Sequence, residues 1–223
     1  MLILGVDTSG KNGSIALVEF GQGSPRTLEI VPLEGGTFSA QLVPQISELL
    51  ARNNLSKKDI EGFAVVSGPG SFTGLRVGLA AIKALAEILQ QAIAAVSLLE
   101  AIARISGLQG EITAALDAGR GEVYWAEFKL ADTGIVALEQ RLVTREELPA
   151  LIAGRELVTP DAKIVEFAKE HGVRVQQVPY PRADFIAQLG FEKIRKGDTV
   201  STIDLDANYI RRSDAEVKKA TPQ

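Results

Sequence analysis

The sequence predicts an α/β fold of two lobes that repeat one mixed-sheet pattern. An apolar strand ending on an acid, a glycine-containing turn and a second apolar strand occur around Asp7 and again around Asp117. Between these two copies, apolar residues recur at helical spacing. Hairpins are common, so the repeat is open to two interpretations, coincidence or internal duplication of one lobe. The shared order of elements favours duplication.

In the first copy, "LILGVD" and "SIALVEF" are predicted as antiparallel strands, and "RTLEIVPL" can add a third. Helical spacing follows from Phe38 to Leu50, and Pro44 lies inside it, so the helix is expected to start or bend there. The run "GFAVVS" predicts a buried strand. A helix from about Thr73 to Leu89, a strand "AIAAVS" and a helix "SLLEAIARIS" come next.

In the second copy, the strand ending at Asp117 leads through a glycine turn into a strand rich in Val, Tyr, Trp and Phe. "GIVALEQRLV" continues the sheet, and Thr144 with Glu147 predicts a capping box at the next helix. We expect an N-terminal lobe over residues 1–106 and a C-terminal lobe over 107–205. Residues 206–223 are expected to return to the first lobe and end as a charged tail.

Composition restricts the classes of function. The 223 residues carry a net charge of −4, which argues against a protein that grips nucleic acid unaided. There is no cysteine and one histidine, His171, so disulfides, thiolate metal sites and multi-histidine metal sites are excluded. The N-terminus lacks a signal pattern and no apolar segment spans a membrane. We therefore expect a cytoplasmic protein without a metal site.

The glycine-rich stretch "SGPGSFTGLR" (67–76) resembles a phosphate loop but fails the spacing tests. A Walker loop needs two glycines five residues apart and then a lysine, whereas Thr73 stands five residues after Gly68 and no lysine follows. A dinucleotide fingerprint needs a glycine three residues after the second one, and that position is again Thr73. Neither standard phosphate motif is present.

The helix after this loop is apolar on nearly every side, so it needs more cover than one sheet provides. Gly74, Gly78 and Ala81 share one side and would allow another backbone to come close. Two interpretations remain open: these residues face a partner, or they face this chain's own sheet. A cation in the first turn is disfavoured by the helix dipole, so Arg76 is expected to have an acidic partner or an anion.

Four blocks spread over almost the whole chain resemble one family. From the N-terminus they are "ILGVDTSGKNGSIALVE", "SGPGSFTGLRVGLAAIKALAE", "AALDAGRGEVYWAEF" and "YIRRSDAE". The order and form of these blocks are typical of the TsaB (YeaZ) family. The resemblance implies a two-lobed actin-like and ribonuclease-H-like (ASKHA) fold with duplicated mixed-sheet lobes. It also implies a role in forming threonylcarbamoyladenosine beside the tRNA anticodon.

In the resembled family, the catalytic relative TsaD binds metal through a His-x-x-x-His motif, and TsaB is its non-catalytic pairing partner. The resemblance implies a heterodimer with TsaD, TsaE joining the pair, a homodimer when the chain is alone, and contact with tRNA only through the complex. No catalytic residue is expected, because one histidine cannot form the TsaD motif. No membrane contact is expected.

Family pairing implies an interface on the first long helix and on the helix after the glycine loop. The side chains that we assign to it are Leu42, Ile46, Leu49, Gly74, Arg76, Gly78, Ala81 and Leu85. This chain has Thr37-Phe38-Ser39 where family members often carry a histidine, and Gly119 where an arginine is common.

Asp7, Thr8 and Ser9 occupy the place where the related kinases hold phosphate and metal. They are either a residual nucleotide contact or the end of a strand and its turn, and the second interpretation is favoured, as it is for Asp117. His171 is expected to cap a helix C-terminus.

The alternative function is an actin- or kinase-like ATPase in its own right. A peptidase is disfavoured because no triad or metal motif accompanies the single histidine. No cofactor is expected on the chain alone, and ATP or ADP is expected, if anywhere, where the two partners meet.

Overall fold

The computed structural model describes residues 1–131, 134–152, 154–208 and 210. The chain divides into two compact units. The first contains Met1–Ser97 and Arg182–Asn208, and the second contains Leu98–Pro181. Within the described residues, no helix is both long and apolar enough to cross a membrane.

The first unit contains five strands: β1 (Leu2–Asp7), β2 (Gly13–Glu19), β3 (Arg26–Leu33), β4 (Gly62–Gly68) and β5 (Ile93–Ser97). They form one sheet in the order β3-β2-β1-β4-β5. Antiparallel pairing joins the first three strands, and parallel pairing joins β1 to β4 and β4 to β5. Every residue of β1 and β4 is buried, as expected for strands covered on both faces.

Three helices cover this sheet. α1 (Phe38–Arg52) packs on β3, α2 (Phe72–Leu89) packs on β4, and these two helices pack against each other. α1 begins at Phe38 and continues through Pro44. The helix therefore does not start at Pro44, which was one of the two expected outcomes. α6 (Ala183–Arg195) lies across β1, β2, β4 and β5.

The elements of the second unit are α3 (Leu98–Ile105), β6 (Gly110–Gly119), β7 (Glu122–Ala131), β8 (Gly134–Thr144), α4 (Leu148–Ile152), β9 (Glu156–Thr159), α5 (Ala162–Glu170) and β10 (Val175–Gln177). Its sheet repeats the topology of the first unit, in the order β10-β9-β6-β7-β8. Again three strands are antiparallel and two further strands are parallel to the central one. The predicted internal duplication is therefore confirmed.

The core of the second unit surrounds Trp125, which packs with apolar residues of β6 to β9, α4 and α5. The predicted capping box is present, because Glu147 accepts hydrogen bonds from the backbone N–H and the hydroxyl of Thr144 at 2.6 and 2.9 Å. It opens a short 3-10 helix that leads into α4.

The division between the units differs from the expected boundaries after 106 and 205. α3 packs on β6 and β7 and belongs to the second unit, although it directly follows β5. α6 belongs to the first unit because small residues let it approach the sheet: a Cβ on Gly5 would collide with the carbonyl oxygen of Ala183, and one on Gly190 with Ala64. Of the expected C-terminal segment 206–223, residues 209 and 211–223 lie outside the described residues.

Candidate partner-binding helices

The glycine loop leads into α2 as a tight turn fixed by the first unit. Ser71 is the N-cap, and its hydroxyl accepts a hydrogen bond from the backbone N–H of Gly74 at 3.3 Å. The backbone N–H of Ser71 donates to the carbonyl oxygen of Ser9 at 2.7 Å. The turn after β1 therefore holds the first turn of α2.

Gly74 and Gly78 are buried against Thr8 and not open to a partner. A Cβ on Gly74 would collide with the carbonyl oxygen of Thr8, and one on Gly78 with its hydroxyl. The Thr8 hydroxyl also donates to the carbonyl oxygen of Gly74 at 2.8 Å. Of the two interpretations left open by the sequence, packing within the chain accounts for these glycines, and the structure gives no support to their assignment to a partner interface.

The residues expected to form the interface on α1 are also buried. Leu42, Ile46 and Leu49 are 1%, 4% and 0% exposed and belong to the core of the first unit. Burial gives no support to their assignment as partner-facing, because the most apolar side of an amphipathic helix faces its own core.

The remaining interface candidates, all on α2, are less buried. Ala81 and Leu85 are half-buried, and Arg76 is exposed. The guanidinium of Arg76 lies over the ring of Phe72, 3.7 Å from the centroid, in a cation–π contact. The sequence led us to expect an acidic partner or an anion for Arg76, and the structure shows the aromatic face of Phe72 beside it.

α1 and α2 each keep an exposed stripe, made of apolar or small side chains apart from Arg76, and sequence reasoning had identified only Arg76 among its members. Val43 is 55% exposed and Ile88 is 69% exposed. We call the two stripes together the pairing face. Its members are Ala40, Val43, Pro44, Ser47 and Ala51 on α1, and Phe72, Arg76, Ala80, Ala84 and Ile88 on α2. The four-residue spacing of the α2 members after Phe72 could have revealed this stripe.

Asp7, Thr8 and Ser9 are 1%, 2% and 2% exposed. Asp7 Oδ1 accepts hydrogen bonds from the Ser9 hydroxyl at 2.5 Å and from the Ser9 backbone N–H at 2.8 Å. Burial raises the pKa of the Asp7 carboxyl to about 6, against the lowering effect of those bonds. These side chains connect β1 to α2, so the favoured interpretation as a strand end and turn describes them, and the residual nucleotide contact stays a prediction.

A cleft of about 690 Å³ opens beside this turn, at the N-terminal ends of α1 and α2. The turn after β1 contributes Lys11 to its wall, and the loop before α1 contributes Glu34. Among the described residues, no group of three or more His, Cys, Asp or Glu could hold a metal ion.

Asp117 in the second unit has different surroundings. Its Oδ1 accepts a hydrogen bond from the backbone N–H of Gly119 at 3.1 Å. The guanidinium nitrogen Nη2 of Arg145 lies 3.8 Å from the same oxygen. Its own backbone N–H donates to Asp161 at 2.7 Å. Partial burial raises the pKa of Asp161, and the negative charge of Asp117 adds to this effect. The two copies of the turn share a pattern but not an environment.

His171 lies at the C-terminal end of α5, where it was expected. Its Nδ1 is 2.8 Å from the carbonyl oxygen of Phe167, and its ring stacks on the Phe167 ring at 4.1 Å between centroids. The histidine thus supplies a partner to a late carbonyl of the helix.

Comparison with known proteins decides the family. The family model described as TsaD: tRNA N6-adenosine threonylcarbamoyltransferase matches residues 30–208. The chain belongs to this family. Within it, the chain is similar to the tRNA threonylcarbamoyladenosine biosynthesis protein TsaB of Escherichia coli (strain K12), 29% identical over 227 residues with 96% of each chain covered.

The TsaB protein of Bacillus subtilis (strain 168) is 27% identical over 230 residues, covering 98% of this chain and 97% of the relative. YeaZ from Pseudomonas aeruginosa has a similar structure, with a TM-score of 0.75 at 24% identity over 93% of this chain and 99% of that one. Membership of the TsaB (YeaZ) group and the fold class implied by the resemblance are therefore confirmed.

Proposed function

We propose that the chain is a TsaB-type subunit of threonylcarbamoyladenosine biosynthesis, which pairs with the TsaD transferase and performs no catalysis alone. Family membership supports the pathway. The pairing face supports the role, because exposed apolar side chains grouped on two helices that pack together are typical of an interaction site. TsaE would join the pair, and contact with tRNA would be made through the complex.

The pairing face is the single observation that carries the proposal. Ala80 and Ala84 lie four residues apart on the exposed side of α2, and Ile88 continues the stripe. Small side chains let a second helix come close, while larger ones at the ends supply contact area. On α1, Val43 and Pro44 present a similar surface. A homodimer of the free chain would bury the same face.

The residue inventory supports the non-catalytic role. The chain has one histidine and no cysteine, so the His-x-x-x-His metal motif of TsaD cannot be formed here. His171 is engaged at the end of α5. Asp7 is buried behind the start of α2. These contacts support a subunit that contributes binding surface to TsaD and leaves the transfer of the threonylcarbamoyl group to it.

The test replaces Ala84 by Glu, because this side chain is exposed and its loss leaves the core intact. We expect association with TsaD, measured by sedimentation, to weaken at least about 100-fold, since a buried unpaired charge is strongly unfavourable at an interface. tRNA modification in a mixture reconstituted with TsaD and TsaE should fall in parallel.

The matched control is Leu138→Glu, the same charge placed on a 50% exposed apolar residue of the second unit. It should associate and support modification like the parent chain. Undiminished association of the Ala84→Glu variant would contradict the proposal. A substitution at Gly78 would not be a clean test, because it would disturb packing against Thr8.

We also propose that ATP or ADP binds only after pairing, where the partners meet. Two features support this: the Asp7 turn is occupied by internal hydrogen bonds, and the cleft containing Lys11 opens at the ends of both pairing helices. A fluorescent ADP analogue should bind the TsaD pair and not the free chain. Steady ATP turnover by the purified chain, lost in Asp7→Ala, would instead support the ATPase alternative.

A further inference from the structure

A second apolar feature of the first unit lies next to the pairing face. Among the described residues, Ile203 is the most exposed of the large apolar side chains, at 88%, and Ile88 follows it. The Thr202 hydroxyl donates a hydrogen bond to Glu87 Oε2 at 2.6 Å. That bond joins the residue preceding Ile203 to the residue preceding Ile88, so it holds the turn that carries Ile203 against the C-terminal part of α2.

The turn that carries Ile203 is held at both ends. On one side, the backbone N–H of Val200 donates to the carbonyl oxygen of Ile93 at 3.0 Å. On the other, Leu205 is 1% exposed, and its N–H donates to the carbonyl oxygen of Ser201 at 3.0 Å. The Ser201 hydroxyl donates to Asp204 Oδ2 at 2.6 Å. Ile203 is therefore presented to solvent by a fixed turn.

The exposure of one apolar side chain needs no explanation, but the position of this pair does. Ile88 is the last member of the α2 stripe, four residues after Ala84 and eight after Ala80. A partner helix that packed along Ala80 and Ala84 would come next to Ile88, near the C-terminal end of α2, where the turn that carries Ile203 also lies. Interfaces draw most of their affinity from a few side chains that become fully buried in well-packed pockets, and a large apolar side chain can fill such a pocket.

We propose that Ile203 and Ile88 form an apolar anchor for the TsaD subunit at the C-terminal end of the pairing face. This rests on the proposed function, because the occupant is the partner that covers the α2 stripe. The turn 201–204 adds a surface that the helices do not supply, and it contributes to which partner fits. Thr202 and Glu87 are positioning residues, since their bond holds the turn against α2.

The test compares Ile203→Glu with Ile203→Val and with the Leu138→Glu control, using sedimentation with TsaD. We expect Ile203→Glu to weaken association by about tenfold or more, Ile203→Val by less than about threefold, and Leu138→Glu not at all. Folding should be unaffected because Ile203 makes little contact, and thermal melts of each variant check this.

A double-mutant cycle tests the positioning role. Thr202→Val should weaken association in the parent chain by about threefold and have no further effect in the Ile203→Glu background, because the bond acts through Ile203. If Ile203→Glu associates like the parent while Ala84→Glu does not, the anchor is refuted and pairing through α2 stands. If Ala84→Glu also associates normally, the proposed function fails as well.

Sedimentation of the free chain distinguishes the occupants. If the anchor serves TsaD, Ile203→Glu should weaken the mixed complex, whether or not self-association through the same face also weakens. Loss of self-association with an unchanged TsaD complex would overturn the assignment in favour of a second copy of the chain.

Discussion

The two sides of α2 use small residues for different purposes. On the inner side, Gly74 and Gly78 allow the helix to lie directly on Thr8, and any side chain there would collide with it. On the outer side, Ala80 and Ala84 are exposed. The difference shows that a small-residue pattern indicates close approach but does not say what approaches. On the inner side, burial shows that Thr8 is what approaches the helix. On the outer side, we propose that a partner approaches it.

The inner side should give the largest change in stability. We expect Gly74→Ala to lower the free energy of unfolding by about 3 kcal/mol, because the new Cβ would collide with the carbonyl oxygen of Thr8. Ala80→Gly is the matched opposite change on the outer side and should lower it by about 0.5–1 kcal/mol through helix propensity alone. Equal effects at the two positions, measured by urea unfolding, would contradict the comparison.

The next effect concerns Asp7, which lies behind the inner side. Its pKa of about 6 in the folded chain is above the ordinary 3.8, so the folded state holds the proton more tightly than the unfolded state. Stability from this group is complete below about pH 4 and is lost as pH rises to 6, by about 2–3 kcal/mol. Asp7→Asn should remove this fall in urea-unfolding measurements made from pH 4 to pH 7.

Asp59→Asn provides a control of opposite sign. Hydrogen bonds from the backbone and hydroxyl of Ser56 lower the pKa of Asp59, so its contribution is present at neutral pH and is lost as pH falls below about 4. If Asp7→Asn follows the same pH profile as the parent chain, Asp7 is not desolvated as described.

A smaller effect is expected at the hydrogen bond between the Thr8 hydroxyl and Gly74, which is 2.8 Å long and buried. Thr8→Val keeps the shape and removes the donor, and we expect it to lower the free energy of unfolding by about 1 kcal/mol. Thr73→Val, an equivalent change at an exposed position of α2, should change it by less than about 0.5 kcal/mol. Thermal unfolding of both variants would show whether Thr8→Val lowers the free energy of unfolding more than Thr73→Val does.

The smallest change in stability is expected on the pairing face itself. Ala84→Glu should leave the free energy of unfolding within about 0.5 kcal/mol of the parent value, because Ala84 is exposed. Its effect on association with TsaD should nevertheless be large. A variant that lost association only by unfolding would remove the distinction between the two sides, and calorimetry of the free chain would detect this.

Much of the fold could be predicted because its signals are local. The helical spacing predicted a helix at Thr73–Leu89, and α2 spans Phe72–Leu89. The repeated strand and turn pattern predicted the duplication. The unit to which α6 belongs could not be predicted, because it depends on contacts between small residues far apart in sequence. Gly5 of the sheet meets Ala183 of α6, and Ala64 of the sheet meets Gly190 of α6.

Which residues of α1 and α2 are exposed was harder to predict than the two helices themselves. On α1, apolar strength marks the core side, so Leu42, Ile46 and Leu49 were chosen although they are buried. On α2, small or apolar residues occur on both sides and few charged residues mark the exposed one, so the pattern alone is a weak sign of which side is covered. Only the burial of each residue separates them.

Chemical protection of single cysteines tests the central proposal most directly. The chain has no cysteine, so Ala84→Cys, Val43→Cys and Leu138→Cys each place one thiol at an exposed site. With saturating TsaD, we predict that maleimide labelling slows at least about tenfold at positions 84 and 43 and is unchanged at 138, because only the pairing face is covered. Labelling that proceeds at the same rate at all three positions with and without TsaD would contradict the account.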